Sequence, residues 1–108
     1  MAFSVYLTND AEGDLEEIAD YIAAKDGAAR SAEVLAKIES AILSLEENPQ
    51  RGAPMKQLLA LGMREFREIF LKTYHVIYRI AGENVHVYLI ADGRRDMAAL
   101  LQRRLLGA

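Results

Sequence analysis

The dipeptide Gly82-Glu83 separates two segments in which apolar and polar residues alternate, and this feature constrains the fold most. Residues 74–81 and 84–91 are rich in β-branched and aromatic side chains, which is typical of strands. Glycine at the first position of a two-residue connection favours a tight hairpin turn. Such a turn fixes the strand register. The predicted pairs are Ile80 with Val85, Arg79 with His86, Tyr78 with Val87, and Ile77 with Tyr88.

This register gives the hairpin two different faces, because successive strand residues point to opposite sides. The first face is apolar and is the expected core: Val76, Tyr78, Ile80, Val85, Val87 and Leu89. The second face is mixed: His75, Ile77, Arg79, His86, Tyr88 and Ile90. We expect the helices of the chain to pack on the first face. The second face is then the half-exposed side of an antiparallel sheet.

The remaining segments complete the order β-α-α-β-β-β-α, which predicts a single α+β domain over residues 1–108. Two helices at three- and four-residue spacing follow a first strand, and they are separated by Asp26-Gly27. The second helix stops before Asn48-Pro49. We expect an antiparallel sheet with this helical hairpin on one face. The other predicted elements are a first strand at 3–7, a helical turn at 55–61, a strand at 63–71, and a last helix at 97–106 capped by Asp96.

The composition excludes several classes of protein. With 108 residues, of which 52% are hydrophobic, the chain is a globular domain of ordinary size. The absence of cysteine rules out disulfides and thiolate metal sites, and no apolar run has the length of a membrane span. These features predict a cytoplasmic protein with no membrane partner, no cofactor and no bound metal.

The formal net charge of −3 conceals an asymmetry between the two halves of the chain. Residues 1–50 contain three Lys/Arg and eleven Asp/Glu, whereas residues 51–108 contain ten Lys/Arg and five Asp/Glu. The halves therefore carry net charges of −8 and +5. One interpretation is a basic C-terminal surface for an acidic partner or a phosphate backbone. The other is that the two halves neutralise each other inside the domain.

Two segments resemble a known family. The stretch "MREFREIFLKTYHVIYRI" at residues 63–80 and the stretch "VHVYLIADGRRD" at 85–96, together with the Asn48-Pro49 break, are similar to the RelE/ParE superfamily of bacterial toxins. The resemblance covers nearly the whole chain. It implies a toxin that is encoded with an antitoxin. RelE-like members cut messenger RNA on the ribosome, and ParE-like members inhibit DNA gyrase.

The RelE-like branch requires groups for acid–base chemistry around a phosphate. Arg95 stands where that branch has an arginine after the last strand, but Phe70 stands at its basic strand position unless a small shift offers Arg67. Residues 97–108 contain neither Tyr nor His, and Leu101 stands near the position of the nuclease tyrosine. If the chain belongs to the ParE-like branch, no catalytic residue is therefore assigned. The set that a nuclease would use instead is Arg67, His75, Arg79, His86 and Arg95.

The ParE-like branch implies a protein-level gyrase inhibitor with no chemistry of its own and a role in plasmid stabilization. The expected target-binding residues are Arg94, Arg95, Asp96, Arg103 and Arg104. The structural alternative is that Arg94 and Arg95 pair with Asp92, Asp96 or the acidic first helix. A third interpretation is a degenerate, non-toxic member that acts only as an antitoxin-binding partner.

The resemblance also implies a partner. This is a ParD-like antitoxin with a ribbon-helix-helix N-terminus, so that contact with DNA is indirect and the toxin forms a hetero-oligomer. An exposed sheet edge and apolar surface suit an added helix or strand. The expected antitoxin-binding residues are Leu58, Leu59, Leu61, Met63, Phe66 and Phe70.

Overall fold

The fold is built on a five-stranded sheet within residues 2–106, which are the residues described by the computed structural model. The strands lie in the order β1-β5-β4-β3-β2. The elements are β1 (Ser4–Leu7), α1 (Asn9–Asp26), α2 (Ala28–Leu43), β2 (Ala53–Pro54), α3 (Lys56–Leu59), β3 (Phe66–Leu71), β4 (Tyr74–Ala81), β5 (Asn84–Asp92) and α4 (Met97–Leu105).

The predicted α+β order is confirmed, with two short elements, β2 and α3, placed in the connection before β3. The four strands β2 to β5 pair antiparallel, as expected. The first strand differs, because β1 pairs with β5 in parallel. A parallel pair requires a long crossover connection, and the rest of the domain supplies it. Between residues 2 and 106, none of the helices combines the length and the apolar character that a membrane span requires.

The helices α1 and α2 pack on the first face of the sheet as the predicted helical hairpin. Thr8 caps α1, since its Oγ1 accepts a hydrogen bond from the Ala11 N–H at 3.1 Å. Gly27, with φ of 96°, ends α1 and allows α2 to begin at once. The Ser31 hydroxyl donates to the Ala19 carbonyl oxygen at 2.8 Å and ties the two helices together. Their buried side chains meet those of the sheet in one core: Ala11, Ile38, Ile42, Leu45, Ile69, Val76, Tyr78, Val85, Val87 and Ile90.

A β-bulge at Tyr88 alters the predicted register of the β4–β5 hairpin. The pairs nearest the Gly82-Glu83 turn are confirmed. The prediction that Ile77 lies opposite Tyr88 is wrong, because Ile77 pairs with Leu89 and Tyr88 is the extra residue. One extra residue exchanges the faces of all that follow. Leu89 therefore joins Ile77 on the second face, and Ile90 joins the first core.

The second face is not the half-exposed surface that the sequence predicts, because α3 and α4 cover part of it. Leu58 from α3 and Leu101 from α4 are fully buried there. Apolar residues of all three central strands contribute to this second core. Its buried members are Met55, Leu58, Phe66, Ile77, Leu89, Ala91, Met97 and Leu101. Helices thus lie on both sides of the sheet, with the hairpin on one side and α3 and α4 on the other.

A single carboxylate connects α1, β5 and α4. Asp14 is buried, and its Oδ2 accepts a hydrogen bond from the Ile90 N–H at 2.9 Å. The Arg104 guanidinium donates to both carboxylate oxygens of Asp14 at 2.6 Å and to the Tyr88 carbonyl oxygen at 2.9 Å. Both backbone groups belong to the part of β5 that extends beyond Leu7, the last residue of β1. The pair therefore supplies hydrogen bonds that a longer β1 would otherwise make. The ion pair with Asp14 also raises the pKa of Arg104.

We predict unequal stability losses when this pair is broken from either side. Asp14→Ala removes the acceptor of the Ile90 N–H and both carboxylate acceptors of the Arg104 guanidinium, which should lower the free energy of unfolding by about 3 kcal/mol. Arg104→Ala should lower it less, by about 2 kcal/mol, because Asp14 keeps the Ile90 N–H as a donor. Urea unfolding followed by circular dichroism measures both values. The exposed Glu16→Ala variant is the control. Strictly additive stability losses in the Asp14→Ala/Arg104→Ala double variant would contradict the coupling.

Candidate functional site

The connection between β5 and α4, Asp92–Asp96, forms a structured arginine turn. Asp92 organises it, because its Oδ1 accepts hydrogen bonds from the Arg94 backbone N–H at 2.9 Å and from Arg94 Nε at 3.2 Å. The second oxygen, Oδ2, accepts from Nη2 of the same arginine at 2.9 Å. These hydrogen bonds from Arg94 lower the pKa of Asp92. The structural alternative, in which the two arginines pair with nearby carboxylates, therefore holds for Arg94, which pairs with Asp92.

Gly93 anchors the arginine turn to the β3–β4 connection. Its N–H donates to the Thr73 carbonyl oxygen at 2.7 Å. A Cβ at this position would collide with the imidazole of His75. A glycine is therefore required here for a steric reason, and the position of the turn is coupled to that of His75.

The five predicted target-binding residues have different environments. Arg95 and Arg103 are exposed and belong to none of the ion pairs found among residues 2–106. Asp96 caps α4, since its Oδ1 accepts from the Ala99 N–H at 3.0 Å. Arg104 is held by Asp14 and faces inward. Of the four arginines in this predicted set, Arg94, Arg95 and Arg103 therefore present their guanidinium groups at the surface.

The residues of the nuclease alternative do not converge. Arg67 pairs with Tyr78 and donates to the Gly52 carbonyl oxygen at 2.8 Å, so it anchors the β2 segment. His75 pairs with Ala91 near the end of β5, whereas His86 lies near its start. The structure places the two histidines at opposite ends of the hairpin.

Each histidine has a local structural contact. His75 Nδ1 lies 3.3 Å from Oε2 of Glu68, and its ring meets the Phe70 ring edge to face with centroids 4.4 Å apart. His86 stacks on Tyr6 with ring centroids 5.7 Å apart. Arg79 lies opposite His86 and is exposed. The carboxylate beside His75 and the cation beside His86 therefore lie at opposite ends of the hairpin and do not form one site.

The predicted antitoxin-binding residues divide into a buried and an exposed group. Leu58 and Phe66 are buried in the second core. They are therefore not available at the surface for an antitoxin. Met63 is partly buried against the same core. The other three, Leu59, Leu61 and Phe70, are 41%, 58% and 57% exposed. We call these three exposed side chains, two at and just after the end of α3 and one on β3, the apolar patch.

A groove lies between α1, α2 and the β3–β4 turn, where the helical hairpin meets the strands. Its volume is about 420 Å³. Lys25, Arg30 and Lys37, which are all the basic residues of the acidic first half, line it together with Lys72 and Arg94. A comparison of net charge between the two halves does not show this arrangement, because the three cations are outnumbered by carboxylates in the first half. The only available sequence signal was the clustering of those three cations within thirteen positions.

Comparison with known proteins decides the family. Residues 5–97 match the family described as the ParE toxin of the type II toxin–antitoxin system parDE. The chain belongs to the ParE toxin family. It is therefore a type II toxin of the ParE kind. Toxin ParE3 of Caulobacter vibrioides (strain ATCC 19089 / CIP 103742 / CB 15) is 31% identical over 100 residues, which cover 93% of this chain and 96% of that protein.

Solved structures share the fold of this ParE-family chain. A chain of the chromosomal ParDE system from P. aeruginosa superposes with a TM-score of 0.71 at 18% identity, covering 84% of this chain and 96% of that one. A chain of the RelBE2 toxin–antitoxin complex from Mycobacterium tuberculosis gives 0.64 at 20% identity, with coverages of 85% and 99%. A mutant of E. coli RelE in the free state gives 0.66 at 13% identity, with coverages of 96% and 98%. These likenesses confirm the predicted RelE/ParE-like fold.

We predict that Arg94→Gln raises the pKa of Asp92 toward its ordinary value, because the strongest hydrogen bonds to the carboxylate are lost. The folded-state pKa of Asp92 is lowered, so its contribution to stability is present above about pH 4 and disappears as the pH falls through that pKa. In the Arg94→Gln variant, the free energy of unfolding should therefore change less with pH in the acid range. NMR titration of the Asp92 carboxyl measures the change, with Arg95→Gln as the matched control. An unchanged Asp92 pKa in the Arg94→Gln variant would show that Arg94 is not the cause of the lowered pKa.

Proposed function

We propose that this ParE-family toxin inhibits DNA gyrase by binding it and that a cognate antitoxin neutralises it. The observation that supports a binding mechanism is the dispersal of the groups that a nuclease would need. Arg67 is engaged with the backbone of Gly52, and His75 and His86 are separated along the hairpin. The last helix supplies no Tyr or His to replace them.

The proposed contact with gyrase is the exposed part of the arginine turn and the outer side of α4. Arg94, Arg95 and Arg103 present guanidinium groups there, and guanidinium forks suit carboxylates on a protein partner. Asp96 and Arg104 act differently from the first expectation. Asp96 caps α4, and Arg104 ties it to Asp14, so these two residues set the position of the helix.

The gyrase proposal predicts that Arg95→Ala/Arg103→Ala weakens inhibition without unfolding the toxin, because both side chains are exposed. Loss of two central contacts of this type should raise the inhibitory concentration roughly tenfold or more. The assay follows gyrase supercoiling and cleavage-complex formation by antitoxin-free protein. Lys37→Ala is the control, because it also removes a positive charge but lies on α2, on the other side of the sheet from α4.

A parallel arm with translating ribosomes separates the two toxin classes. We expect no codon-positioned cleavage of messenger RNA. Ribosomal cleavage with gyrase unaffected would refute the proposal and assign the chemistry to the histidine-bearing hairpin. Inactivity in both arms would also refute it and would indicate a degenerate toxin or another target.

The proposed antitoxin contact is the apolar patch together with the edge of β3. The two-residue strand β2 pairs only with Arg67 and Glu68, so the outer edge of residues 69–71 has no strand partner within residues 2–106. Phe70 lies on that free edge and is exposed. An extended segment added to such an edge gains main-chain hydrogen bonds and can cover the neighbouring apolar side chains. The antitoxin is the partner we propose for this surface.

We predict that Leu59→Ser/Leu61→Ser/Phe70→Ser weakens antitoxin binding roughly a hundredfold, since three exposed apolar anchors are removed. Isothermal titration calorimetry with the purified antitoxin measures the affinity. Leu43→Ser is a matched control, because Leu43 on α2 is also 57% exposed. Equal affinities for the triple variant and the control would exclude the apolar patch from the interface.

A further inference from the structure

The first strand, β1, forms one edge of the sheet, and its outer side carries backbone groups that no strand takes up. Within residues 2–106, β1 pairs only with β5. The N–H groups of Ser4 and Thr8 donate to carbonyl oxygens of β5 at 3.0 Å. Because the hydrogen-bonding direction alternates along a strand, the backbone groups of Val5 and Leu7 point away from β5. These outward groups have no backbone partner among the described residues.

Both ends of this free edge are closed by other parts of the domain. Before the strand, the N–H of Phe3 donates to the Glu46 carbonyl oxygen at 2.8 Å, so the segment after α2 covers that end. After the strand, the chain passes directly into α1. An added strand therefore gains hydrogen bonds at Val5 and Leu7 only.

The side chain at the centre of this edge is an exposed aromatic ring. Tyr6 is 52% exposed and stacks on His86 of β5, with ring centroids 5.7 Å apart and ring planes inclined by 23°. Its neighbours Val5 and Leu7 pack against the first core. His86 covers one side of the Tyr6 ring, and the other side is open at the edge of the sheet. A partner that brings a second aromatic ring suits this position.

The edge lacks the charged residues and prolines by which proteins usually prevent strand pairing, and only its short length protects it. Residues 3–9 contain no charged side chain and no proline, although the chain has 16 Asp/Glu and a net charge of −3. Two copies of an acidic protein repel each other, so a contact between them requires an uncharged segment. Residues 3–9 meet this requirement and offer no counter-charge to a strongly acidic or basic partner.

We propose that β1 pairs antiparallel with β1 of a second copy of this chain, about a two-fold axis that passes through Tyr6. In this register Val5 lies opposite Leu7 of the second copy, and each such pair exchanges both of its N–H···O hydrogen bonds. The two Tyr6 rings face each other at the centre and extend the stack that begins with His86. The same segment serves both copies, as two-fold symmetry requires. The two sheets thereby join into one continuous sheet.

The ends of the free edge exclude the neighbouring symmetric registers. An axis through Val5 would place Leu7 opposite Phe3 of the second copy, whose N–H is already engaged. An axis through Leu7 would place Val5 opposite Asn9, which is the first residue of α1. The axis through Tyr6 is the one that provides a partner for every outward group. Because the pairing is short, we expect a weak dimer with a Kd on the order of 10 μM.

A cysteine on the proposed axis tests the register directly, because the chain contains no cysteine of its own. In the Tyr6→Cys variant, the two Cα atoms across the axis should lie about 4.5 Å apart, within the range of a disulfide. Ser4→Cys is the matched control, since Ser4 is exposed on the same face of β1 but its two copies would lie roughly 13 Å apart.

The measurement is nonreducing electrophoresis of antitoxin-free toxin after equilibration in a glutathione redox buffer. At a protein concentration of about 100 μM, we expect roughly half or more of Tyr6→Cys to form a covalent dimer, and about a tenth or less of Ser4→Cys. Equal cross-linking of the two variants would mean random collision or another register, and it would overturn the proposal.

A second pair of variants tests the backbone hydrogen bonds while Tyr6 stays in place. Val5→Pro removes the outward N–H, which the single chain does not use, and proline is tolerated at such edge positions. Val5→Ala shortens the side chain but keeps the N–H. By sedimentation equilibrium, we expect a dimer Kd within about threefold of the wild type for Val5→Ala and at least about tenfold higher for Val5→Pro. Circular dichroism checks that both variants fold, and the cysteine variants decide the matter if Val5→Pro does not.

The remaining outcomes distinguish this edge from other surfaces and other partners. A dimer that Val5→Pro leaves intact would use a different surface, and a wild-type toxin that stays monomeric at high concentration would have no such dimer. If antitoxin or gyrase then protected the Val5 and Leu7 amides from hydrogen exchange, the edge would belong to that protein. Each of these results would overturn the proposal. Because the dimer is measured on the toxin alone, its failure and the failure of the proposed function are separate results.

Discussion

The Asp14 carboxylate resolves a conflict between the lengths of two neighbouring strands. β1 ends at Leu7 while β5 runs on to Asp92, so the last part of β5 has no strand on that side. An unpaired strand edge inside the domain would leave buried backbone groups without partners. Asp14 accepts from the Ile90 N–H, and Arg104 donates to the Tyr88 carbonyl oxygen. Two side chains thereby complete the sheet, and in doing so they fix α1 and α4 relative to β5.

The bulge and the ion pair depend on each other. The extra residue Tyr88 shifts Leu89 to the second face, where it packs in the core that α4 covers. A helix that packs there brings Arg104 within reach of Asp14. A buried carboxylate is unfavourable unless it is paired and hydrogen-bonded, and here both oxygens are satisfied. The position of α4 thus follows from a one-residue irregularity in β5. Because the arginine turn leads directly into α4, the position of the helix also determines where the turn lies.

The sequence predicted the strands, the helical hairpin and the hairpin register near Gly82-Glu83, because those features depend on local periodicity and turn chemistry. It could not predict the bulge. Tyr88-Leu89-Ile90-Ala91 is apolar throughout, so the alternation that identifies faces is lost where the extra residue lies. The pairing of Asp14 with Arg104 was equally hidden, since Asp14 is one of many carboxylates in α1 and Arg104 adjoins an exposed arginine. Asp14 differs from the other carboxylates of α1, and Arg104 from Arg103, only through the tertiary contact between them, which spans ninety positions of the sequence.

Arg94 connects the arginine turn with the groove between α1, α2 and the β3–β4 turn. It belongs to the arginine turn, and it also lines the groove beside Tyr74 and Lys72. Its guanidinium is largely exposed, and its hydrogen bonds within residues 2–106 go to Asp92, so an anion in the groove would compete directly with Asp92 for it. Such competition would change the conformation of the turn, because the Asp92 side chain also accepts the Arg94 backbone N–H. An anion bound in the groove would thus act on the arginine turn through the existing contact between Asp92 and Arg94.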